Sequence, residues 1–285
     1  MYSQSITRTH RTAFVLLIDT SGSMAEEMRF RGRTSTKAEA VAMITNELLF
    51  ELLARANRTE GLRNYYDIAV LGYGGNDEVR SLLDEEHEMI SIKRLGELPV
   101  ELHREVIELR QPDGSVSLRE IRTPRWVAPR AAGQTPMLDA LRVARDLLQE
   151  WTMQPENAQS FPPILFNITD GEATDGFRED IQAVSEQIRS LRTEDGNVLL
   201  INIHIAPDSS ERTLFFPCRE EQLHPNRYAS LLYECSSEMP ACFDEAIRRI
   251  KGVGAVPPFR GVSFNASAAE VVAMLNIGTI SVKTE

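Results

Sequence analysis

The run Phe14-Val15-Leu16-Leu17-Ile18 passes without a break into Asp19-Thr20-Ser21-Gly22-Ser23. The apolar part is of strand length, far too short to cross a membrane, and its Val and Ile suit a strand buried on both faces. Asp19, Ser21 and Ser23 then fall at the carboxyl end of that strand, in the turn towards a helix. Open α/β sheets place their ligands there. One carboxylate and two hydroxyls offer three hard oxygen donors, which suit Mg2+ or Mn2+ and not zinc. Taken alone, Asp-x-Ser-x-Ser is also an ordinary turn sequence.

Two further segments narrow the choice. In Ala132-Gly133-Gln134-Thr135-Pro136-Met137-Leu138, a Thr precedes a Pro at the opening of a helix. In Pro163-Ile164-Leu165-Phe166-Asn167-Ile168-Thr169-Asp170-Gly171-Glu172, a second buried strand ends in an Asp. Together the three segments resemble the metal-ion-dependent adhesion site of von Willebrand factor A (vWA) domains. That pattern is Asp-x-Ser-x-Ser, then a Thr in a helix-opening loop, then an Asp after a later strand. Asp19, Ser21, Ser23, Thr135 and Asp170 match it in order. The resemblance covers nearly the whole chain except residues 77–130. It implies a bound Mg2+ (or Mn2+) whose remaining ligand is an Asp or Glu of a protein partner. A narrower likeness lies in Tyr228–Ser237, Gly261–Ala266 and Leu275–Thr279. These segments look like bacterial cytoplasmic vWA proteins of the tellurium-resistance-associated type. Such proteins often accompany a PP2C-like phosphatase and a protein kinase, so this looser resemblance implies a phosphatase- and kinase-linked setting in which either enzyme is a candidate partner.

The rest of the chain is consistent with a single domain, 1–285. Strands are predicted at 13–19, 66–73, 164–169, 197–205 and 261–266. Met24 to Thr36 reads as a loop, with Thr34 or Thr36 capping a helix that runs to about Arg58. Val41, Ile44, Leu48, Leu49 and Leu52 form that helix's core-facing stripe. Gly72-x-Gly74-Gly75 is a turn, not a dinucleotide loop. Leu138, Leu141, Ala144 and Leu148 line the next helix, and Ile181, Val184, Ile188 and Leu191 one at about 177–193. His204 falls in an apolar run and reads as a buried, hydrogen-bonded residue. After Pro207 the chain is irregular through Cys218. Helices follow at 226–236, 240–250 and 268–275. Asp175 is expected to cap the helix after it. Alternating strands and helices predict an α/β fold: a doubly wound, mostly parallel sheet with helices on both faces. Within the 77–130 insertion, Leu82 to Glu88 reads as loop. Residues 105–110 and 116–121, around Pro112-Asp113-Gly114, predict a β-hairpin near the metal face or along the sheet edge. It is either edge decoration or a partner-selecting surface. Trp126 is assigned to the core.

Composition bounds the function. A net charge of −11 disfavours nucleic acid and anionic membranes as partners. The N-terminus lacks the apolar core of a signal peptide, and no stretch approaches about 18 apolar residues. A cytoplasmic location is expected, and Cys218, Cys235 and Cys242, with no Cys-x-x-Cys pair, read as free thiols. The leading expectation is a metal-dependent protein-interaction module without catalysis. A metal-dependent phosphoryl-transfer enzyme is the alternative, but haloacid-dehalogenase-like phosphatases need a second Asp two residues after the first, where this chain has Ser21. A metal-independent scaffold is the other alternative.

Overall fold

β1 (Thr12–Asp19) carries eight residues, all buried. The computed structural model describes residues 1–285 except 76–77, 111–115, 207–212, 219–225, 253 and 281–285. From β1 the chain runs through β2 (Glu27–Phe30) and β3 (Arg33–Thr36) into α1 (Lys37–Ala56). β4 (Asn57–Arg58) and β5 (Gly61–Leu62) lead to β6 (Tyr66–Gly74). β7 (Glu78–Ser81), β8 (Ile90–Ser91) and α2 (Ile92–Glu97) precede a hairpin of β9 (Glu101–Arg110) and β10 (Val116–Arg125). There follow α3 (Met137–Met153), β11 (Ile164–Thr169), α4 (Arg178–Ser190), β12 (Leu199–Ile205) and β13 (Leu214–Phe215). α5 (Arg227–Cys235), α6 (Asp244–Lys251), β14 (Val262–Ala266) and α7 (Ala268–Ile280) complete the order.

The main sheet has the order β13-β14-β12-β11-β1-β6-β7, with β8 also on β6. β14, β12, β11, β1 and β6 are parallel, and β13, β7 and β8 add antiparallel pairs. Successive residues of a strand face opposite sides. Phe14, Leu16 and Ile18 therefore join a core with α1 and α7, while Val15 and Leu17 join another with α3, α4 and α5. Burial on both faces is why β1 reads as an unbroken apolar run. The chain leaves β1 for β6 on one side, then crosses through α3 to β11 on the other. The strand order reverses between β1 and β11, and such a switch point opens a crevice beyond the carboxyl ends of the strands.

Several boundaries differ from expectation. Met24 to Thr36 is not a loop: β2 and β3 form a hairpin there. Arg31 (φ 52°) and Gly32 (φ 79°) make its turn; positive φ at both positions is the type I′ geometry. Met28 and Phe30 are buried while Glu27 and Arg29 are exposed, the alternation of a half-buried strand. Thr36 caps α1 in a reciprocal capping box with Glu39. α1 stops at Ala56, because Asn57 and Arg58 pair with β5. The expected hairpin is present and longer, at Glu101–Arg110 and Val116–Arg125, and its turn Pro112-Asp113-Gly114 lies outside the described residues. It is a separate two-stranded ladder alongside α1, not an extension of the main sheet's edge. In the stretch expected to be irregular, Leu214 and Phe215 pair with β14. α7 extends to Ile280, beyond the expected end at Leu275. Among the described residues no helix is long and apolar enough to cross a membrane, and no disulfide joins Cys218, Cys235 and Cys242.

Buried Asn46 ties the hairpin's exit to α1. Its Nδ2 donates to the carbonyls of Ala42 and Val127 (both 2.8 Å), and its Oδ1 accepts from the N–H groups of Trp126 (2.8 Å) and Val127 (2.9 Å). Asn46→Leu strands the Val127 carbonyl and two N–H groups. It is expected to cost about 3 kcal/mol in urea unfolding; a loss below about 0.5 kcal/mol would show that the segment does not depend on this anchor.

Candidate metal centre

The parallel register sets Ile18 beside Ile168, so Asp19 and Thr169 end their strands side by side. Thr169 Oγ1 donates to Asp19 Oδ2 (3.0 Å), and the Ser21 N–H donates to Asp19 Oδ1 (2.8 Å). The Ser21 and Ser23 hydroxyls lie 3.1 Å apart, and Ser23 Oγ donates to Asp170 Oδ1 (2.7 Å). Four predicted residues, Asp19, Ser21, Ser23 and Asp170, thus form one connected set of oxygens at the switch point. The fifth, Thr135, joins through its backbone. Its N–H donates to Thr174 Oγ1 (3.1 Å) and its carbonyl accepts from the Thr174 N–H (3.0 Å). Thr174 belongs to the loop that leaves Asp170.

The Thr135 loop is fastened to the Asp19 loop as well. Ala132 N–H donates to the Thr20 carbonyl (2.8 Å), Gly22 N–H to the Gly133 carbonyl (3.0 Å) and Gly75 N–H to the Ala132 carbonyl (2.6 Å). Contrary to expectation, Asp175 does not cap the helix that follows it. It caps α3, which precedes it, by accepting from the N–H groups of Leu138 (3.0 Å) and Asp139 (2.8 Å). An acceptor from a distant loop satisfies the free donors of that helix start, where Pro136 has no side chain able to do so. His204 is half-buried, less than expected, and hydrogen-bonded as expected. Its Nδ1 accepts from the Asn265 N–H (3.2 Å), and its ring stacks on Phe264 at 4.2 Å. Burial pushes its pKa down to about 4, so it is neutral at physiological pH.

Sequence reasoning missed Thr169, Lys37 and the polar residues that support them. Two residues back along β11, Tyr73 Oη donates to Asn167 Oδ1 (2.9 Å) and Asn167 Nδ2 to Asn202 Oδ1 (3.0 Å). Asn202 Nδ2 donates in turn to Ser236 Oγ (2.9 Å). This buried relay crosses the sheet below the site. Its signal was the pair of Asn residues interrupting two apolar strands. Lys37 Nζ lies 3.0 Å from Asp170 Oδ2 and 2.7 Å from Glu26 Oε2.

Burial raises the Asp19 carboxyl from its ordinary 3.8 to about 6; the Ser21 hydroxyl and N–H oppose the rise, and Asp170 adds to it. The protein's own donors therefore leave the ionised form under-compensated, and a cation would supply what is missing. Among the described residues no group of three or more His, Cys, Asp or Glu is placed to hold a metal. A donor set of two carboxylates and neutral hydroxyls fits a hard divalent ion such as Mg2+. Folded Asp19 binds its proton more tightly than the unfolded chain does, so its contribution to stability falls as pH rises from about 4 to about 6. The expected loss is about 3 kcal/mol. Urea unfolding without divalent cations, from pH 4.5 to 7, should show about 2 kcal/mol of this loss, the part that falls above pH 4.5, in wild type and not in Asp19→Asn. Mg2+ affinity should fall roughly tenfold per pH unit below about pH 6; a flat profile would contradict the assignment.

No protein-family model matches the chain, and no curated protein does. Among solved structures it is similar to a von Willebrand factor type A protein from Catenulispora acidiphila, at 15% identity and a TM-score of 0.40 over 69% of this chain. The match spans only 34% of that neighbour's length. It is also similar to an uncharacterized membrane spanning protein from Vibrio fischeri, at 14% identity and a TM-score of 0.28 over 68% of this chain and 71% of that one. These distant likenesses carry no argument about function.

Proposed function

We propose that the chain is a vWA-type interaction module that recognises an acidic side chain of a protein partner through a divalent cation and catalyses nothing itself. The observation that carries this is the connected oxygen set of Asp19, Ser21, Ser23 and Asp170 beyond β1 and β11. In this reading Asp19 and Asp170 supply the charge that holds Mg2+, and Ser21, Ser23 and Thr135 supply neutral oxygens. Neutral ligands leave the cation's charge incompletely quenched, so it attracts an anionic ligand from outside. The chain's net charge of −11 favours a bridging cation, which offsets the overall repulsion of an Asp or Glu of a partner. Thr169 and Ser21 orient Asp19, Ser23 orients Asp170, and Thr174 holds the Thr135 loop against them. A PP2C-like phosphatase or a protein kinase is the partner class suggested by the resemblance of the C-terminal segments.

The test is affinity capture with wild type and Asp19→Asn as baits, in Mg2+ and in EDTA. A partner held by wild type in Mg2+, lost in EDTA, lost with Asp19→Asn and lost when its own acidic residue is replaced supports the module. Partners retained equally in all conditions would favour a metal-independent scaffold. Mg2+-dependent hydrolysis of phosphate esters, absent in Asp19→Asn, would favour phosphoryl transfer.

A further inference from the structure

Lys37 occupies an unusual position. Its side chain is 3% exposed, although lysines normally keep their ammonium in water. It is the first residue of α1, the end of a helix at which the macrodipole disfavours a cation. Helix formation therefore does not account for it. The compensation comes from two carboxylates. Asp170, whose side chain is fully buried, lies 3.0 Å away. Glu26, whose side chain is 57% exposed, lies 2.7 Å away. The Lys37 N–H also donates to the Glu26 carbonyl (3.0 Å), which fixes the two residues together.

We propose that Lys37 is a tethered counter-cation that competes with the divalent ion for Asp170, with Glu26 as the anchor to which its ammonium withdraws. The inference rests on the cation-site reading above and adds the group that sets its affinity. Asp170 accepts from Ser23 at one oxygen and from Lys37 at the other. A divalent ion drawing on Asp170 meets a like charge already in contact with it. Glu26 keeps the ammonium paired when Asp170 is engaged elsewhere, so releasing Asp170 does not strand a buried charge. Cation binding and the Lys37 pairing are thereby coupled, and weak intrinsic affinity makes the site depend on the partner's carboxylate for tight closure.

A purely structural role for Lys37 predicts the opposite sign. If the ammonium only orients Asp170, removing it weakens cation binding. If it competes, removing it strengthens binding. The experiment is calorimetric titration of MgCl2 into metal-stripped wild type, Lys37→Met and Lys37→Arg at fixed pH and ionic strength, with melting curves alongside. Lys37→Met should bind Mg2+ at least about tenfold more tightly, the scale on which a neighbouring charge alters a site's ionic preference. It should melt lower than wild type in EDTA and recover more on adding Mg2+. Lys37→Arg, which keeps the charge, should bind no more tightly than wild type. Glu26→Gln should weaken binding in wild type and have less effect in Lys37→Met, a non-additivity that measures the withdrawal. If Lys37→Met fails to fold, Glu26→Gln alone still tests the withdrawal: weaker Mg2+ binding than wild type is expected, and unchanged binding would overturn the proposal. Equal or weaker binding by Lys37→Met, or additive effects in the cycle, would overturn the proposal while leaving the cation site intact. No binding by wild type, Lys37→Met or Lys37→Arg would overturn the cation-site reading and this inference with it.

Discussion

Gly133→Ala is expected to destabilise the protein by about 3 kcal/mol or more, among the largest effects of any single substitution here. A Cβ at this position would lie 1.8 Å from the Gly75 carbonyl oxygen. Backbone cannot step aside as a flexible side chain can. The residue also holds φ at +72°, where an L side chain adds strain. The contact matters because Gly75 and Gly133 join the end of β6 to the Thr135 loop, and Gly133 accepts from the Gly22 N–H within the Asp19 loop. Separating these loops disturbs the site as well as the fold. Gly171→Ala is the control, since a Cβ there meets nothing within 4 Å; it should fall within about 0.5 kcal/mol of wild type in urea unfolding. Equal behaviour of the two variants would show that the loops can shift to admit the methyl group.

Asp19→Asn is expected to abolish the response to Mg2+, with at least about a hundredfold loss of affinity, while leaving the cation-free protein as stable as wild type or more so. The two halves have one cause. Burial makes the charged carboxylate costly, which raises its pKa to about 6. An amide of the same shape avoids that cost, retaining an acceptor for the Ser21 N–H and a polar contact for Thr169. Most substitutions at a buried polar residue destabilise. A stability gain paired with loss of ligand response therefore marks a residue whose charge serves binding and not folding. The check is melting temperature and calorimetry with and without Mg2+ near neutral pH. Strong destabilisation in EDTA with an unchanged Mg2+ response would assign Asp19 a structural role.

The parts of this molecule that sequence alone exposed are those set by local spacing. Apolar runs at 13–18 and 164–168 announced doubly covered strands, and stripes such as Leu138, Leu141, Ala144 and Leu148 announced the helices against them. Asp19, Ser21 and Ser23 were legible because three donors fall within one turn. What stayed hidden depends on distant elements meeting. Thr169 becomes an Asp19 partner only through the β1–β11 register, and Asp175 reaches back to α3 across a loop. Lys37 looked like any residue after a helix cap, because its burial depends on Asp170 arriving from β11. The β2–β3 hairpin was missed for a local reason: its type I′ turn is Arg-Gly, not the Asn-Gly or Asp-Gly that signals such turns.

The central claim is that these oxygens hold a divalent cation. Its most direct test is calorimetric titration of MgCl2 into the metal-stripped wild-type protein near neutral pH, with Asp19→Asn alongside. Saturable binding at a single site is expected, with a rise in melting temperature that grows with Mg2+ concentration, and neither effect in Asp19→Asn. Absence of heat and of any melting shift at millimolar Mg2+ or Mn2+, in wild type and in Lys37→Met alike, would contradict it.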